Sequence, residues 1–426
     1  MSWRPWAWFL SFLRWLWYLL AALWYRLCWF RRPKQPENVV VDRRRKILYR
    51  PGEVIVAEAD FDRPEVRREL GRWSELVTDV AGLVLVRGIA NPRKVVAALR
   101  KLDATAQINH VFVAGAEAEP RKVWAAPNYL GGGTFAVPAP SPKFPWVAEA
   151  PPTGPEVTVA VLDTGIRTKP FPLPSLTAIV TSDGSPDVDP LVRNEEGEIE
   201  PGNGHGTFVS GIVHRRAPHA KVQIDKVLDM YGAGDDVTIA RGLDDLLRRL
   251  AGGRLDILNC SFAGRTDGAE WPQAMSKRLS DLMAQGTVIV AAAGNSGDEK
   301  ETYPAALPGV RAVAALDGDK LAPWSNCGKW IRLCAPGTNE VSTFYGDGDG
   351  RIEPEGFVGW AVGSGTSFAA PYVAGAIAAT QRLNKFKTAG EAFDLLLSQA
   401  EQVGHMAKIP PVAKKKTQIG VTRLAG

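Results

Sequence analysis

Cysteine is scarce in this chain, with four residues among 426: Cys28, Cys260, Cys327 and Cys334. So few cysteines in so long a chain exclude a disulfide-dense scaffold. No two of them have the Cys-x-x-Cys spacing, which argues against a zinc cluster. Cys327 and Cys334 could pair in an oxidising compartment, but two partly buried thiols are the simpler expectation.

The body of the chain also lacks a basic surplus. The formal net charge is +5, but residues 1–46 alone carry a net charge of +8, so the other 380 residues sum to −3. A slightly acidic body argues against nucleic acid as a partner. The basic residues instead flank an apolar segment at one end of the chain, a pattern that favours a membrane surface.

Residues 1–46 predict an apolar membrane-associating helix followed by a basic link. The stretch 3–30 is largely apolar and holds seven of the 14 tryptophans. Residues 5–25 are long enough to span a bilayer, with Arg14 as their one charge. An interfacial helix competes, because the polar residues fall on one helical stripe, and a cleaved signal peptide is a third option. We predict that residues 1–30 bind a membrane, and the positive-inside rule favours the cytoplasmic side for the rest.

Residues 47–115 predict a small α+β domain. Strand-like and helical patterns follow one another in the order β-α-β-β-α-β, which is the ferredoxin-like arrangement. Residues 116–155 hold nine prolines and a triple glycine, and predict an exposed linker. The expected strands are 53–58, 77–80, 83–88 and 109–115, and the expected helices are 63–76 and 92–102.

Residues 156–385 predict an α/β domain. Apolar runs alternate there with amphipathic stretches, which favours a mostly parallel sheet with helices on both faces. For the tail, residues 386–426, we expect one helix and a basic end. The strand-like runs are 158–166, 221–228, 256–262, 287–295 and 311–316, and the helical stretches include 236–250 and 271–285.

Four polar residues stand where strands end or helices begin in this domain. Asp163 closes the run "VAVLD", His205 lies between two glycines before an apolar helix, and Asn295 ends "VIVAAAGN". Ser367 follows a glycine-rich turn at the start of an Ala-rich helix. Because sites in parallel sheets form at the carboxyl ends of strands, the four can meet. A serine nucleophile needs an imidazole base, which in turn needs a carboxylate, and an amide can donate to the oxyanion.

The segments "VLDTGI", "GHGTFVSGIV", "AAAGN" and "GTSFAAPYVAG" resemble the signature blocks of the subtilisin-like serine peptidases. The resemblance covers about residues 156–385, and its order Asp, His, Ser is that of subtilisin. It implies a subtilisin-like fold with a seven-stranded, mainly parallel sheet, and an endopeptidase acting on proteins or peptides. It assigns the orienting, base, oxyanion and nucleophile roles to Asp163, His205, Asn295 and Ser367.

The resemblance also implies a substrate-binding cleft. In the family's pattern "NCSFAG" (259–264) pairs with the substrate backbone, and "AAAG" (291–294) forms the opposite wall of the specificity pocket. Phe262 replaces the usual Leu, and Ala263 stands where Gly is common, so the pocket should be narrower and prefer a medium-sized apolar residue. The substrate-binding residues implied in this way are Ser261, Phe262, Ala263, Ala292, Ala293 and Gly294.

The unit 47–115 resembles the inhibitor-like propeptides of the same family, which assist folding and block the cleft. A permanent accessory domain is the alternative. As a propeptide it should be separated by self-cleavage between Gly115 and Pro155, and we favour residues 121–136. We predict no cofactor and no metal. When the EF-hand-like stretch 347–356 is aligned on its central glycine, Tyr345 and Gly356 fall at the end positions of the loop, where carboxylates belong.

Two other function classes remain open from the sequence. A pseudoprotease could act as a binding module, although all catalytic residue types are present here. A peptide ligase could use the same acyl-enzyme, because ligation and hydrolysis differ in water access rather than in the catalytic residues.

Overall fold

A computed structural model describes residues 38–42, 44–114, 137–138, 154–167, 189, 202–250, 253–268, 270–345 and 359–412, all in the unit that begins at Pro36. The apolar segment 1–30 and most of the linker 116–155 lie outside the described residues. Within the described ranges, no helix is both long and apolar enough to cross a membrane.

The region before the linker is an antiparallel sheet with helices on one face. Its sheet order is β5-β2-β4-β3, and β1 pairs with the first half of β2. The elements are β1 (Val40–Asp42), β2 (Ile47–Ala57), α1 (Glu58–Phe61), α2 (Pro64–Leu70), β3 (Glu75–Val80), β4 (Leu83–Arg87), α3 (Pro92–Lys101) and β5 (Ala106–Ala114).

The helix expected over 63–76 is shorter in the structure, so that part of the prediction was wrong. It ends at Leu70, because Gly71 takes a left-handed φ of +66°, a conformation that glycine adopts at low cost and that ends helices. Residues 75–80 form β3 instead.

The strand β2 shows why this sheet is buried on both faces. Alternate residues of a strand point to opposite sides. Val54 and Val56 pack in the cluster formed with α2 and α3. Ile55 points the other way and packs with Val237 and Ala274, which belong to the region after the linker. The sheet is therefore held between its own helices and the larger domain.

The larger domain is built on a parallel sheet. Seven strands run parallel in the order β8-β7-β10-β12-β13-β15-β19. The strands are β6 (Val137–Pro138), β7 (Thr158–Asp163), β8 (Lys221–Lys226), β9 (Ala233–Asp235), β10 (Ile257–Cys260), β11 (Phe262–Ala263), β12 (Val288–Ala292), β13 (Arg311–Asp317), β14 (Lys320–Leu321), β15 (Leu333–Pro336), β16 (Glu340–Thr343), β17 (Trp360–Gly363), β18 (Glu401–Val403) and β19 (Met406–Lys408). The helices are α4 (His205–Arg216), α5 (Asp236–Leu250), α6 (Gln273–Ala284), α7 (Thr366–Leu383) and α8 (Ala389–Ser398).

Helices cover both faces of this sheet, as predicted. In β7, Val159 and Val161 belong to the apolar cluster shared with α4, α7 and α8. The intervening Ala160 and Leu162 belong to the cluster shared with α5 and α6. Both sides of β7 are thus buried, which confirms the mostly parallel sheet with helices on both faces expected from the sequence.

The chain after residue 385 adds more than the one expected helix. Thr388 and Glu391 form a reciprocal capping box at the start of α8, and α8 is followed by β18 and β19. The strand β19 pairs in parallel with β15, so the sheet extends past the boundary drawn from the sequence. Strands of three residues carry too little periodicity to be recognised in advance.

Candidate active site

The side chains of Asp163 and His205 meet at the carboxyl end of the parallel sheet. Asp163 is the last residue of β7, and His205 is the first residue of α4. Nδ1 of His205 lies 2.7 Å from Oδ1 of Asp163, and neither side chain is more than 2% exposed. The N–H of Thr164 donates to the same carboxylate oxygen at 2.8 Å. With Nδ1–H donating to the carboxylate, Nε2 is the atom that can act as a base.

Ser367 lies in the first turn of α7. The ring of the next residue, Phe368, has its centroid 5.7 Å from that of His205 and 4.4 Å from that of Phe208 in α4. These contacts place the first turn of α7, which includes Ser367, next to the start of α4. The main-chain carbonyl of Ser367 also accepts a 2.8 Å hydrogen bond from Oγ of Ser261, which links the helix start to the residue between β10 and β11.

Asn295 follows β12, and Thr366 fixes the orientation of its side chain. Oδ1 of Asn295 accepts hydrogen bonds from the N–H and the hydroxyl of Thr366, each at 2.9 Å. Nδ2 is then turned toward Gly365, where a Cβ atom would lie 3.6 Å from it. Because Gly365 and Thr366 immediately precede Ser367, the amide can donate to an oxyanion formed there.

Two threonines that hold these side chains were missed by the sequence reasoning. Thr366 orients Asn295 and also accepts a 3.0 Å bond from the N–H of Gly294. Thr164 binds the carboxylate of Asp163 through its N–H. Each is adjacent in sequence to a predicted site residue, and that adjacency is the one signal that could have found them.

The six residues expected to bind substrate lie at the ends of two neighbouring strands, and all six are buried. β10 and β12 run side by side in parallel, so the segments that follow them form facing walls. A backbone bridge between Gly264 and Tyr303, with hydrogen bonds of 3.0 and 2.8 Å, joins the end of the first wall to the chain that follows the second. Apart from Ser261 the lining side chains are aromatic or methyl groups.

The strand β5 lies along the same wall. Ala114 and Val113 pair antiparallel with Phe262 and Ala263, and earlier residues of β5 pair antiparallel with β9. β5 is therefore an additional strand between β9 and β11. The side chain of Phe112 is fully buried in the apolar cluster that contains Phe262. The wall expected to hold a substrate backbone thus holds a strand of this chain.

Residues 154–426 match the model of the Subtilase family. The chain belongs to the subtilase family of serine peptidases. It is similar to Subtilisin Savinase from Lederbergia lenta, with 33% identity over 243 residues, or 54% of this chain and 78% of that protein. It is also similar to the Major intracellular serine protease of Bacillus subtilis (strain 168), with 32% identity over 264 residues, or 58% of this chain and 74% of that one.

A third relative is the Minor extracellular protease Epr of the same Bacillus subtilis strain. It is 34% identical over 197 residues, which cover 44% of this chain and 28% of Epr. This subtilase therefore spans between 28% and 78% of the length of these three relatives.

The described cysteines of this subtilase are poor competitors for the nucleophile role. Cys260, Cys327 and Cys334 are unpaired. Burial raises the pKa of all three thiols, that of Cys334 to about 11, so they stay protonated near neutral pH. Within the described ranges, no group of three or more His, Cys, Asp or Glu side chains could hold a metal ion. The EF-hand-like stretch 347–356 lies outside those ranges.

Proposed function

We propose that this subtilase is a serine-type endopeptidase with Ser367 as its nucleophile. His205 is the general base, Asp163 orients its imidazole, and Asn295 donates to the oxyanion. The proposal rests on the contacts made by the two residues next to Ser367. Its neighbour Phe368 packs against His205, and the residue on its other side holds Asn295.

The proposed reaction begins when Oγ of Ser367 attacks the substrate carbonyl carbon and its proton passes to Nε2 of His205. The carbonyl π electrons move to oxygen, and Nδ2 of Asn295 donates to that oxyanion. Collapse breaks the C–N bond, and His205 returns the proton to the leaving amine. Water repeats the sequence on the acyl-enzyme and releases a carboxylic acid and free Ser367.

The walls of the cleft favour apolar substrates. Phe262, Ala263, Ala292 and Ala293 are buried and apolar, and the predicted binding residues include no carboxylate that could hold Lys or Arg. We propose cleavage after medium-sized apolar residues. Digestion of casein by the wild type and by Ser367→Ala, with the cut bonds identified by mass spectrometry, tests the activity and this preference together.

We also propose that the unit 47–115 is an inhibitor-like propeptide of ferredoxin-like type that blocks the cleft. The chain order β-α-β-β-α-β and the sheet order β5-β2-β4-β3 support this fold type. The pairing of β5 with β9 and β11 supports the inhibitory role, because a substrate could not pair with β11 at the same time. Self-cleavage within 116–155 then separates the unit, and the window 121–136 stays our prediction for the cut.

The residues 38–50, here called the clamp hairpin, hold β5 in place. Val39 and Leu48 cover the outward side of Val111 and Val113. Three basic residues of the hairpin form ion pairs with acids of the larger domain on both sides of β5, near β9 and after β11 and β12. The pairs are Arg50–Asp235 at 3.0 Å, Arg45–Asp267 at 3.1 Å and Lys46–Asp298 at 3.6 Å.

We expect the ion pairs of the clamp hairpin to make inhibition depend on salt. Partly exposed pairs contribute about 0.2–1 kcal/mol each and are screened by added salt. In the triple variant Arg45→Glu, Lys46→Glu and Arg50→Glu, hydrolysis of a short peptide at low salt should be about tenfold faster than in the wild type. Wild-type hydrolysis should rise toward that rate as NaCl is increased to about 1 M.

A matched triple variant controls for charge alone. Arg68, Arg72 and Lys101 are exposed residues of the same unit, and no ion pair joins them to the larger domain among the described contacts. Changing all three to Glu should leave the salt dependence as in the wild type. If the clamp variant hydrolyses the peptide no faster than this control, the clamp hairpin does not hold the inhibitor.

We propose that residues 1–30 hold the enzyme at a membrane, with the peptidase domain on the cytoplasmic side. The support is the Trp-rich apolar sequence and the basic link that follows it. After alkaline carbonate extraction, the full chain should remain in the membrane pellet, and a chain that starts at Val39 should be soluble. External protease should not digest residues 156–385 in intact cells.

The two parts of this membrane proposal fail separately. A full chain found in the soluble fraction without detergent contradicts membrane binding. A pelleted chain whose peptidase domain is digested from outside contradicts the cytoplasmic side alone.

A further inference from the structure

Asp189 is a buried carboxylate with three hydrogen-bond donors, and the proposed reaction does not use it. Its side chain is 0% exposed. Oδ2 accepts hydrogen bonds from the N–H of Gly204 at 2.6 Å and from the hydroxyl of Thr164 at 3.0 Å. Oδ1 accepts one from Nδ2 of Asn203 at 3.1 Å. A buried carboxylate bonded in this way fixes the groups around it strongly.

These donors flank the candidate catalytic pair on both sides. Thr164 directly follows Asp163 at the end of β7, and Gly204 directly precedes His205 at the start of α4. The hydroxyl of Thr164 also accepts a 3.0 Å hydrogen bond from the N–H of Gly206. One carboxylate thus joins the strand that carries the acid to the helix that carries the base.

The start of α4 has no capping side chain of its own. Gly204 is the capping position and has a left-handed φ of +79°, and a Cβ atom there would lie 2.2 Å from the ring of Phe344. Residues that usually cap helices are therefore excluded at this position. The hydroxyl of Thr164 accepts from the N–H of Gly206 in the first turn instead, and Asp189 accepts from the N–H of Gly204 itself. The negative charge of Asp189 suits this position at a helix N-terminus.

We propose that Asp189 is a positioning residue, which holds Nδ1 of His205 within hydrogen-bond distance of the carboxylate of Asp163. The inference rests on the proposed hydrolytic function. Misplacing a catalytic group by about 1 Å can slow the chemical step about 100-fold, and none of the predicted substrate-binding residues is among the hydrogen-bond partners of the Asp189 side chain named above. Loss of the Asp189 carboxylate should therefore lower kcat and leave KM nearly unchanged.

Burial raises the pKa of Asp189 to about 6, although the bonds from Gly204 and Thr164 oppose the rise. Assays at about pH 8 therefore keep the carboxylate ionised. At that pH we expect Asp189→Ala to lower kcat about 10- to 100-fold. Asp189→Asn keeps an oxygen acceptor for Gly204 and Thr164, and should restore kcat to within about fivefold of the wild type.

Asp256→Ala is the matched control, because Asp256 is a buried carboxylate at the opposite end of β7. It accepts hydrogen bonds from the N–H of Thr158 at 3.1 Å and from Nε2 of Gln381 at 2.9 Å. Its loss should lower the thermal unfolding temperature and leave kcat unchanged. If Asp189→Ala behaves in the same way, the positioning role is overturned.

A second pair of variants covers the case in which Asp189→Ala does not fold. Thr164→Val removes the hydroxyl that links Asp189 to Gly206 with little change in volume, and Thr164→Ser retains it. A lowered kcat in Thr164→Val together with a near-wild-type kcat in Thr164→Ser supports the proposal. A wild-type kcat in both variants overturns it.

The rate at which a fluorophosphonate labels Ser367 separates this inference from the function on which it rests. If the wild type is not labelled even in about 1 M NaCl, where inhibition by the unit 47–115 should be relieved, the hydrolytic function fails and the positioning role fails with it. If the wild type is labelled and Asp189→Ala is labelled as fast, the positioning role alone fails.

Discussion

Ser367→Ala should abolish casein hydrolysis and leave the fold intact. We expect kcat to fall about a million-fold, the size known for the triad of subtilisin itself. The reason is chemical, because no other described group can form the acyl-enzyme at this position. The hydrogen bond from Oγ of Ser261 goes to the main-chain carbonyl of Ser367, so the substitution removes the hydroxyl without removing that bond. Mass spectrometry of casein digests measures the loss.

The same variant should also remain at full length on storage while the wild type shortens. His205→Ala should be about as severe in kcat, since the members of a triad act as a unit. Ser364→Ala is a matched control, because its Oγ accepts a structural bond from the N–H of Asn339. It should stay within about threefold of the wild type. Undiminished hydrolysis by Ser367→Ala would refute the proposed function.

The candidate catalytic set could be proposed from the sequence because its signals are local. Asp163, His205, Asn295 and Ser367 each end a strand or begin a helix next to glycine, and parallel strands place such ends at one edge of the sheet. The alternation of apolar runs with amphipathic helices likewise predicted the parallel sheet. Local periodicity carries both kinds of information.

The groups that hold the site could not be predicted in the same way. Asp189 is 25 residues from Thr164 and 15 residues from Gly204, and no pattern in the sequence pairs them. A buried Asp next to a proline has the sequence of an ordinary turn. Its role depends on three-dimensional contacts with α4 and β7.

The pairing of β5 with β11 in the cleft wall could not be predicted from the sequence either. The strand pattern near 109–115 was recognised, but Ala114 pairs with Phe262 across nearly 150 residues. Register between distant strands is set by the packing of their side chains. Here the burial of Phe112 in the core of the larger domain fixes the register of β5 against β11.

Asn295→Ala should lower kcat about 100- to 1,000-fold and change KM little, a size known for the oxyanion donor of subtilisin. The donor acts mainly on the oxyanion, which exists in the transition state and not in the bound substrate. Oδ1 of Asn295 is held by Thr366, so Nδ2 has a fixed direction, and this preorganisation gives the donor its value. Initial rates on a short apolar peptide over a range of concentrations separate kcat from KM.

Asn326→Ala is the matched control for this prediction. Asn326 is buried beside the same loop, where Nδ2 donates to the carbonyl of Ala293 at 2.8 Å and Oδ1 accepts from Ser296 at 3.0 Å. Its loss removes structural bonds from the pocket wall, so it should lower the thermal unfolding temperature and raise KM more than it lowers kcat. Asn295→Ala should instead lower kcat far more than it changes KM. If the two variants divide their effects alike, Asn295 supports the wall and does not donate to the oxyanion.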